Sequence, residues 1–152
     1  MNLYDRLKEL GIRLPRSTPP AASYCPGVKA GALLFTAGQT PKVDGQLQYR
    51  GKCGVDLSLE EAQAAARLCA VNCLSIADRL CGLDQVVRVV KVTGFVNCSS
   101  DFTDQSKVVD GASKLLYELF GATGAHARSA VGASSRPGNA PCEVEMVFQV
   151  RP

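Results

Sequence analysis

One arginine and two glutamates near the end of the chain are the side chains best suited to chemistry. Arg128 stands at the start of the largely apolar segment 127–133, where an unpaired guanidinium would be costly to bury. Its planar set of N–H donors suits a two-point grip on a carboxylate. Glu143 and Glu145 lie two residues apart in the next predicted strand, so their side chains share a face. The sequence therefore offers a carboxylate clamp and a candidate acid–base group.

The same residues also have a purely structural interpretation. An arginine and a glutamate on neighbouring strands can form an ion pair that only stabilises the sheet. A Ser129/His126 hydrolase is disfavoured, because no G-x-S-x-G motif surrounds Ser129 and His126 is only three positions away. We expect His126 to be a solvated residue at a strand edge; the alternative is a pH-sensitive residue of a cleft. Spacing alone leaves the clamp and the ion pair as alternatives.

The cysteines are the other potential source of chemistry. Of seven cysteines, Cys69 and Cys73 lie one helical turn apart, but no C-x-x-C pair occurs. We interpret these two as small, buried apolar side chains and predict no metal and no cofactor. Buried free thiols favour a reducing compartment, so we expect a cytoplasmic protein.

The distribution of charged and of apolar residues argues against two classes of partner. The chain has 152 residues and a net charge of +3, with the basic residues scattered along it. A nucleic-acid surface would concentrate Lys and Arg in a stripe, so no nucleic-acid partner is expected. No apolar run approaches the length of a membrane span, so no membrane partner is expected either.

The N-terminal segment is predicted to support the domain rather than to do chemistry. Residues 2–11 have the pattern of a short amphipathic helix, and 14–20 contain three prolines typical of an extended linker. We expect residues 1–20 to pack on a single domain formed by 21–152. A hairpin follows, with strands at 21–28 and 32–37.

The remaining elements follow from hydrophobic periodicity. The apolar second strand of the hairpin is expected to be buried on both faces, and Asp44-Gly45 predicts a turn in a surface excursion. Ser58 and Glu61 form a capping box that opens a helix ending near Cys81. A second helix is predicted at 103–120 and strands at 86–98, 127–133 and 142–150.

This element order predicts a two-layer α+β domain, a mixed sheet with two long helices on one face. In the strand 86–98, alternation places apolar side chains on both faces: Val87, Val89 and Phe95 on one, and Val86, Val90, Val92 and Val96 on the other. A single helical layer covers only one of these faces. We therefore expect the other face to pack against another subunit in a homo-oligomer.

Three short strings together resemble the Rid (reactive intermediate deaminase) family, formerly the YjgF family and related to UK114 and L-PSP. Residues 35–41 (FTAGQTP) resemble its S-G-Q-x-P strand end, and 127–131 (ARSAV) resemble its P-A-R-S-x-V signature. Residues 143–145 (EVE) resemble its closing E-x-E strand. The strings keep the family's order over residues 20–150, and the N-terminal helix with the insertion at 43–57 resembles a longer-chain branch.

The resemblance implies a chorismate-mutase-like fold, assembled as a homotrimer with a cleft at each subunit interface. It also implies metal-free hydrolysis of enamines and imines, made from amino acids, to 2-oxo acids and ammonia. Arg128 would hold the carboxylate of a small substrate, and Glu143 would help to position or activate water. The implied substrate-binding set is Tyr24, Gly38, Arg128, Ser129 and Ala130.

Three positions depart from the family pattern. The family often has cysteine at the position of Ala130, proline at that of His126, and asparagine where Asp110 aligns. A negative charge near the cleft would disfavour small anionic substrates. The alternative is a non-catalytic trimer that binds a small metabolite or makes chaperone-like contacts. A ribonuclease or translation-inhibitor role is least favoured, since the charge is scattered and no histidine pair exists.

Overall fold

The chain alternates strands and helices in the order that the hydrophobic pattern predicts. The computed structural model describes residues 2–15 and 23–152. The strands are β1 (Gly27–Ala30), β2 (Leu33–Thr36), β3 (Lys42–Val43), β4 (Gln46–Leu47), β5 (Val86–Asn97), β6 (Ala127–Ala133) and β7 (Cys142–Val150). The helices are α1 (Leu3–Glu9), α2 (Leu59–Cys81) and α3 (Gln105–Phe120).

Five of the strands form one mixed sheet in the order β1-β2-β7-β5-β6. Neighbours are antiparallel except β5 and β6, which run parallel because α3 connects them across the sheet. Helices α2 and α3 cover one face, and their apolar sides form the core with that face. The predicted α+β class is therefore confirmed, and β6 lies at one edge of the sheet.

Strand β5 departs from simple alternation in its first half. Two register shifts, one on either side of Val89, each place an extra residue of β5 against β7. Val86, Val89 and Val92 therefore all enter the core. The prediction that Val89 shares a face with Phe95 was wrong for this reason. Val90 is only half-buried, whereas Val86, Val92 and Val96, with which it was grouped, are buried.

The hairpin differs from the prediction in position and in burial. Its first strand begins at Gly27 rather than before it, runs on to Ala30, and turns at Gly31 with φ +60°. Residues 21 and 22 of the predicted strand lie outside the described residues. In β2, Leu33 is 36% and Phe35 43% exposed, so the expected burial on both faces is wrong for a single chain.

The two long helices pack through small side chains. The predicted capping box is present at the start of α2, where Ser58 and Glu61 exchange hydrogen bonds. Five alanines of α2 have no exposed surface, and side chains this small let α3 approach closely. At Gly111 of α3, a β-carbon would overlap the main-chain carbonyl of Gln63 in α2. The helix–helix contact therefore depends on the absence of a side chain at this position.

Burial of the thiols agrees with the apolar interpretation. Cys69 and Cys73 have no exposed surface, and the Cys73 thiol donates to the main-chain oxygen of Val144 at 3.3 Å. This burial raises the pKa of the Cys73 thiol to about 12. Such a thiol remains protonated near neutral pH and is a poor nucleophile.

The N-terminal helix is tied to both long helices. Leu7 of α1 is buried in the core, the Tyr4 hydroxyl donates to Asp78 of α2 at 2.6 Å, and Arg6 donates to the main chain of α3. The linker predicted at 14–20 lies mostly outside the described residues, so the division at residue 20 stays a prediction.

The predicted Asp44-Gly45 turn is confirmed between β3 and β4. No helix within residues 2–15 and 23–152 is long and apolar enough to cross a bilayer.

Candidate functional site

Arg128 points from the edge strand β6 toward α3, where its guanidinium is held by three side chains. Nη1 donates to Asp110 Oδ1 at 2.8 Å and to Ser113 Oγ at 3.1 Å. Nη2 donates to the hydroxyl and the main-chain oxygen of Ser106, at 2.6 and 3.2 Å. The side chain remains 20% exposed. The guanidinium is therefore fixed in orientation and still reachable from outside.

His126 joins the same hydrogen-bond network. Its Nδ1 lies 2.6 Å from the carbonyl oxygen of Gly124, which can only accept, so Nδ1 carries a proton. In the neutral ring, Nε2 then accepts from the Ser113 hydroxyl at 2.9 Å. His126 lies just before β6, as expected, but it is not simply solvated, because both ring nitrogens are hydrogen-bonded.

Glu143 is held by a second arginine. Its Oε1 accepts from Arg136 Nη1 at 2.7 Å, and the Arg136 guanidinium lies 5.4 Å from the ring centre of Phe95. Oε2 packs over Gly38, where a β-carbon would come within 2.7 Å of it. This explains why a glycine stands at the end of the hairpin. The Glu143 carboxylate is thus fixed while its side chain stays 19% exposed.

Arg128 and Glu143 lie on opposite faces of the sheet. Arg128 is paired with Val92 of β5, and Glu143 is paired with Phe95 of the same strand. Val92 and Phe95 are three positions apart with no register shift between them, so they face opposite ways. One chain therefore cannot place both side chains against the same small molecule. The alternative ion pair between Arg128 and a glutamate of a neighbouring strand is not formed either, because β5 lies between β6 and β7 and Arg128 pairs with Asp110.

The other predicted site residues divide between the two faces. Ser129 lies on the face without helices, where Lys91 Nζ donates to its hydroxyl at 3.3 Å. Gly38 is on the same face, against Glu143. Ala130 faces the helices and packs on the core. Tyr24 precedes β1 and is largely exposed.

Three side chains of these networks were missed from the sequence. Ser106 and Ser113 stand on α3 four residues before and three after Asp110, so the three share one side of the helix. This polar stripe lies beside the apolar stripe of α3, and its spacing could have been recognised in the sequence. Arg136 belongs to the loop before β7, and nothing in the loop sequence marks its pairing with Glu143.

The sheet face opposite α2 and α3 is not covered by any helix of residues 2–15 and 23–152, and it is called the helix-free face below. Val28, Leu33, Phe35 and Val131 are exposed on it. A shallow cavity of about 530 Å³ opens beside β5 and β6 and is lined by Arg88, Val90, Ala125, His126, Ala127 and Gln149. This face and the edge at Arg128 are the two surfaces that carry candidate functional groups.

Comparison with known proteins settles the family. A family model described as "YjgF/chorismate_mutase-like, putative endoribonuclease" matches residues 4–150. The chain belongs to the YjgF/chorismate-mutase-like family. The resemblance inferred from the three short strings is thus confirmed, and so is the chorismate-mutase-like fold.

Relatives of this YjgF-family chain are similar over nearly their whole length. Protein TCP17 of Trypanosoma cruzi is 43% identical over 146 residues, which cover 95% of this chain and 91% of TCP17. The "putative endoribonuclease" of Shewanella oneidensis, known from a crystal structure, is 31% identical, with a TM-score of 0.95, covering 99% of this chain and 100% of that one. Escherichia coli TdcF, solved with bound serine, is 23% identical with a TM-score of 0.64, covering 92% and 94%, a likeness of fold alone.

Proposed function

We propose that this protein hydrolyses enamines and imines derived from amino acids to 2-oxo acids and ammonia. The observation that carries the proposal is the fixed, partly exposed guanidinium of Arg128 at the edge of β6. In the reaction, water adds to the carbon of R–C(=NH2+)–CO2−, the C–N bond breaks, and R–CO–CO2− and NH4+ leave. Atoms and charge balance without an oxidant or a reductant.

The substrate site is proposed to be shared between two chains. Because Arg128 and Glu143 lie on opposite faces of one sheet, a site that uses both must bring the helix-free face of one chain to the Arg128 edge of another. The exposed apolar side chains Leu33, Phe35 and Val131 on that face favour such an interface. We propose a homotrimer with three such sites, related by rotation.

The two residues would have separate roles. Arg128 would bind the substrate carboxylate and orient the molecule, and Glu143 would accept a proton from the attacking water. Arg136 keeps the Glu143 carboxylate in one position, which favours a water placed for attack. An iminium carbon is already electrophilic, so orientation and one acid–base group can accelerate the reaction. Serine bound in TdcF is consistent with an amino-acid-sized ligand in this fold.

The word endoribonuclease in the relatives' names is a weaker guide. Acid–base cleavage of RNA needs a paired acid and base beside a phosphate-binding surface. The one histidine of this chain, His126, has both ring nitrogens hydrogen-bonded within the network beside Arg128. The site therefore supports a small carboxylate ligand better than an RNA backbone.

Turnover of imines generated in solution by an amino acid oxidase tests the proposal. We expect the wild-type protein to accelerate loss of the imine, followed by trapping with semicarbazide. Arg128→Ala should lower kcat/KM by about 100-fold or more, since a two-point charged contact is lost. Arg128→Lys should recover little, because a single ammonium cannot replace the planar fork.

The control is Arg67→Ala, which removes a partly exposed arginine of α2 paired with Glu118. It should leave turnover unchanged. Binding of carboxylates without acceleration of any imine would instead support the non-catalytic binding role. Full activity of a folded Arg128→Ala protein would contradict Arg128 as the anchor.

A further inference from the structure

The Arg128 guanidinium has little donor capacity left for a ligand. Four of its N–H groups donate to Asp110, Ser113 and Ser106, and its Nε–H makes no hydrogen bond to a described residue. The Ser106 hydroxyl is the most easily displaced acceptor, because it is exposed and can rotate about its single bond. A ligand carboxylate would therefore bind through Nε and Nη2, while Asp110 stays on Nη1.

Asp110 then becomes part of the surface that the ligand meets. Its side chain is 41% exposed, and its Oδ2 makes no hydrogen bond to a described residue. Lys107, nearly one turn earlier on α3, pairs with Asp104 at 3.6 Å rather than with Asp110. With a ligand bound, two carboxylates would share the single charge of Arg128. A ligand that is only an anion leaves this cluster with an unbalanced negative charge.

From this arrangement we propose that Asp110 determines specificity by the charge of the ligand. The site takes carboxylates that carry a protonated nitrogen on the adjacent carbon, so that Arg128 faces the carboxylate and Asp110 faces the cation. It discriminates against the corresponding 2-oxo acids. This inference rests on the proposed function and assigns to Asp110 the preference for the zwitterionic 2-iminio acid over the 2-oxo acid.

The selection has a consequence for the catalytic cycle. The substrate R–C(=NH2+)–CO2− balances the charge of the Arg128–Asp110 pair, and the product R–CO–CO2− does not. Once NH4+ has left, the carboxylate of Asp110 repels the remaining anion. Asp110 therefore promotes release of the 2-oxo acid and limits product inhibition.

The test compares the binding of two ligands with the same carbon skeleton. Binding of L-alanine and of pyruvate is measured by NMR titration up to tens of millimolar, in wild type and in Asp110→Asn. The asparagine keeps an oxygen acceptor for Nη1 and removes the charge. We expect wild type to prefer L-alanine, and Asp110→Asn to shift the ratio of the two Kd values toward pyruvate by on the order of tenfold. An unchanged ratio would overturn the proposal.

Two further variants separate the effect of Asp110 from a general effect of negative charge and from failure of the carboxylate clamp. Asp104→Asn removes a negative charge at the start of α3 from a residue that does not contact Arg128. It should leave the ratio of the two Kd values as in wild type. A tenfold shift in that variant would assign the effect to general charge and refute the role of Asp110. Arg128→Ala should lose both ligands. If it binds both as tightly as wild type, or if wild type binds neither, the carboxylate clamp itself fails, whatever the result for Asp110.

Discussion

At the residue scale, the sequence identifies candidate functional side chains better than it identifies their partners. Arg128 stands out because a guanidinium is unusual in an apolar strand, and the structure gives it the partners that burial requires. Its ion pair with Asp110 was not predicted, because the partner lies on a helix 18 residues away and only the packing of α3 on β6 brings them together. The ion pair between Arg136 and Glu143 was not predicted either.

The buried thiol of Cys73 predicts a loss of stability at alkaline pH. Its pKa is about 12 in the folded chain against an ordinary value of 9.0, because burial disfavours the thiolate. Because the pKa is raised in the folded state, the buried, protonated thiol contributes its full stabilisation of the fold below pH 9. This contribution is lost as the pH rises toward 12. The loss should approach about 1.4 kcal/mol per pH unit within that window.

Denaturant unfolding at pH 8 to 11 measures this effect. Cys73→Ala should lower stability at pH 8 through the lost packing, yet show a shallower decline above pH 9 than wild type. Cys25→Ala, which removes an exposed thiol, should keep the wild-type slope. Equal slopes for Cys73→Ala and wild type would show that the thiol does not carry the pH dependence.

At the element scale, periodicity predicted both long helices and the bounds of β6 and β7, since each has a continuous amphipathic or alternating pattern. It failed at the start of β5. In Val86–Val92 almost every residue is apolar or long-chained, so nothing in the sequence marks which residue is the extra one at each bulge. The first hairpin strand failed similarly, because Lys29 and Ala30 look like turn residues and yet pair with β2.

The approach of α3 to α2 at Gly111 predicts the sign of a substitution. Glycine to alanine within a helix normally stabilises by up to about 1 kcal/mol. Here the added methyl group would meet the Gln63 carbonyl, so Gly111→Ala should destabilise, by about 1–3 kcal/mol. Thermal unfolding measures the change, with Lys114→Ala on the exposed side of α3 as the control. A higher Tm for Gly111→Ala would show that the helices are not held so closely.

At the scale of the whole molecule, the sequence predicted that one sheet face lacks a covering layer, and the exposed Leu33 and Phe35 agree with that. It did not predict that Arg128 and Glu143 lie on opposite faces, because the strand pairing that fixes their orientation is set by β5. This separation is the reason to propose a shared site. In the proposed trimer, the helix-free face of one chain and the Arg128 edge of another would form the two halves of one cleft.

In the proposed trimer each site combines Arg128 of one chain with Glu143 of another, and complementation between two inactive variants tests this pairing most directly. Arg128→Ala and Glu143→Gln are purified alone and after coexpression, and imine turnover is measured on trimers confirmed by analytical ultracentrifugation. Each variant alone should be nearly inactive. Random mixing in equal amounts should restore about a quarter of wild-type activity, since that fraction of interfaces pairs an intact Arg128 with an intact Glu143. Mixed trimers no more active than either parent would contradict a site shared between chains.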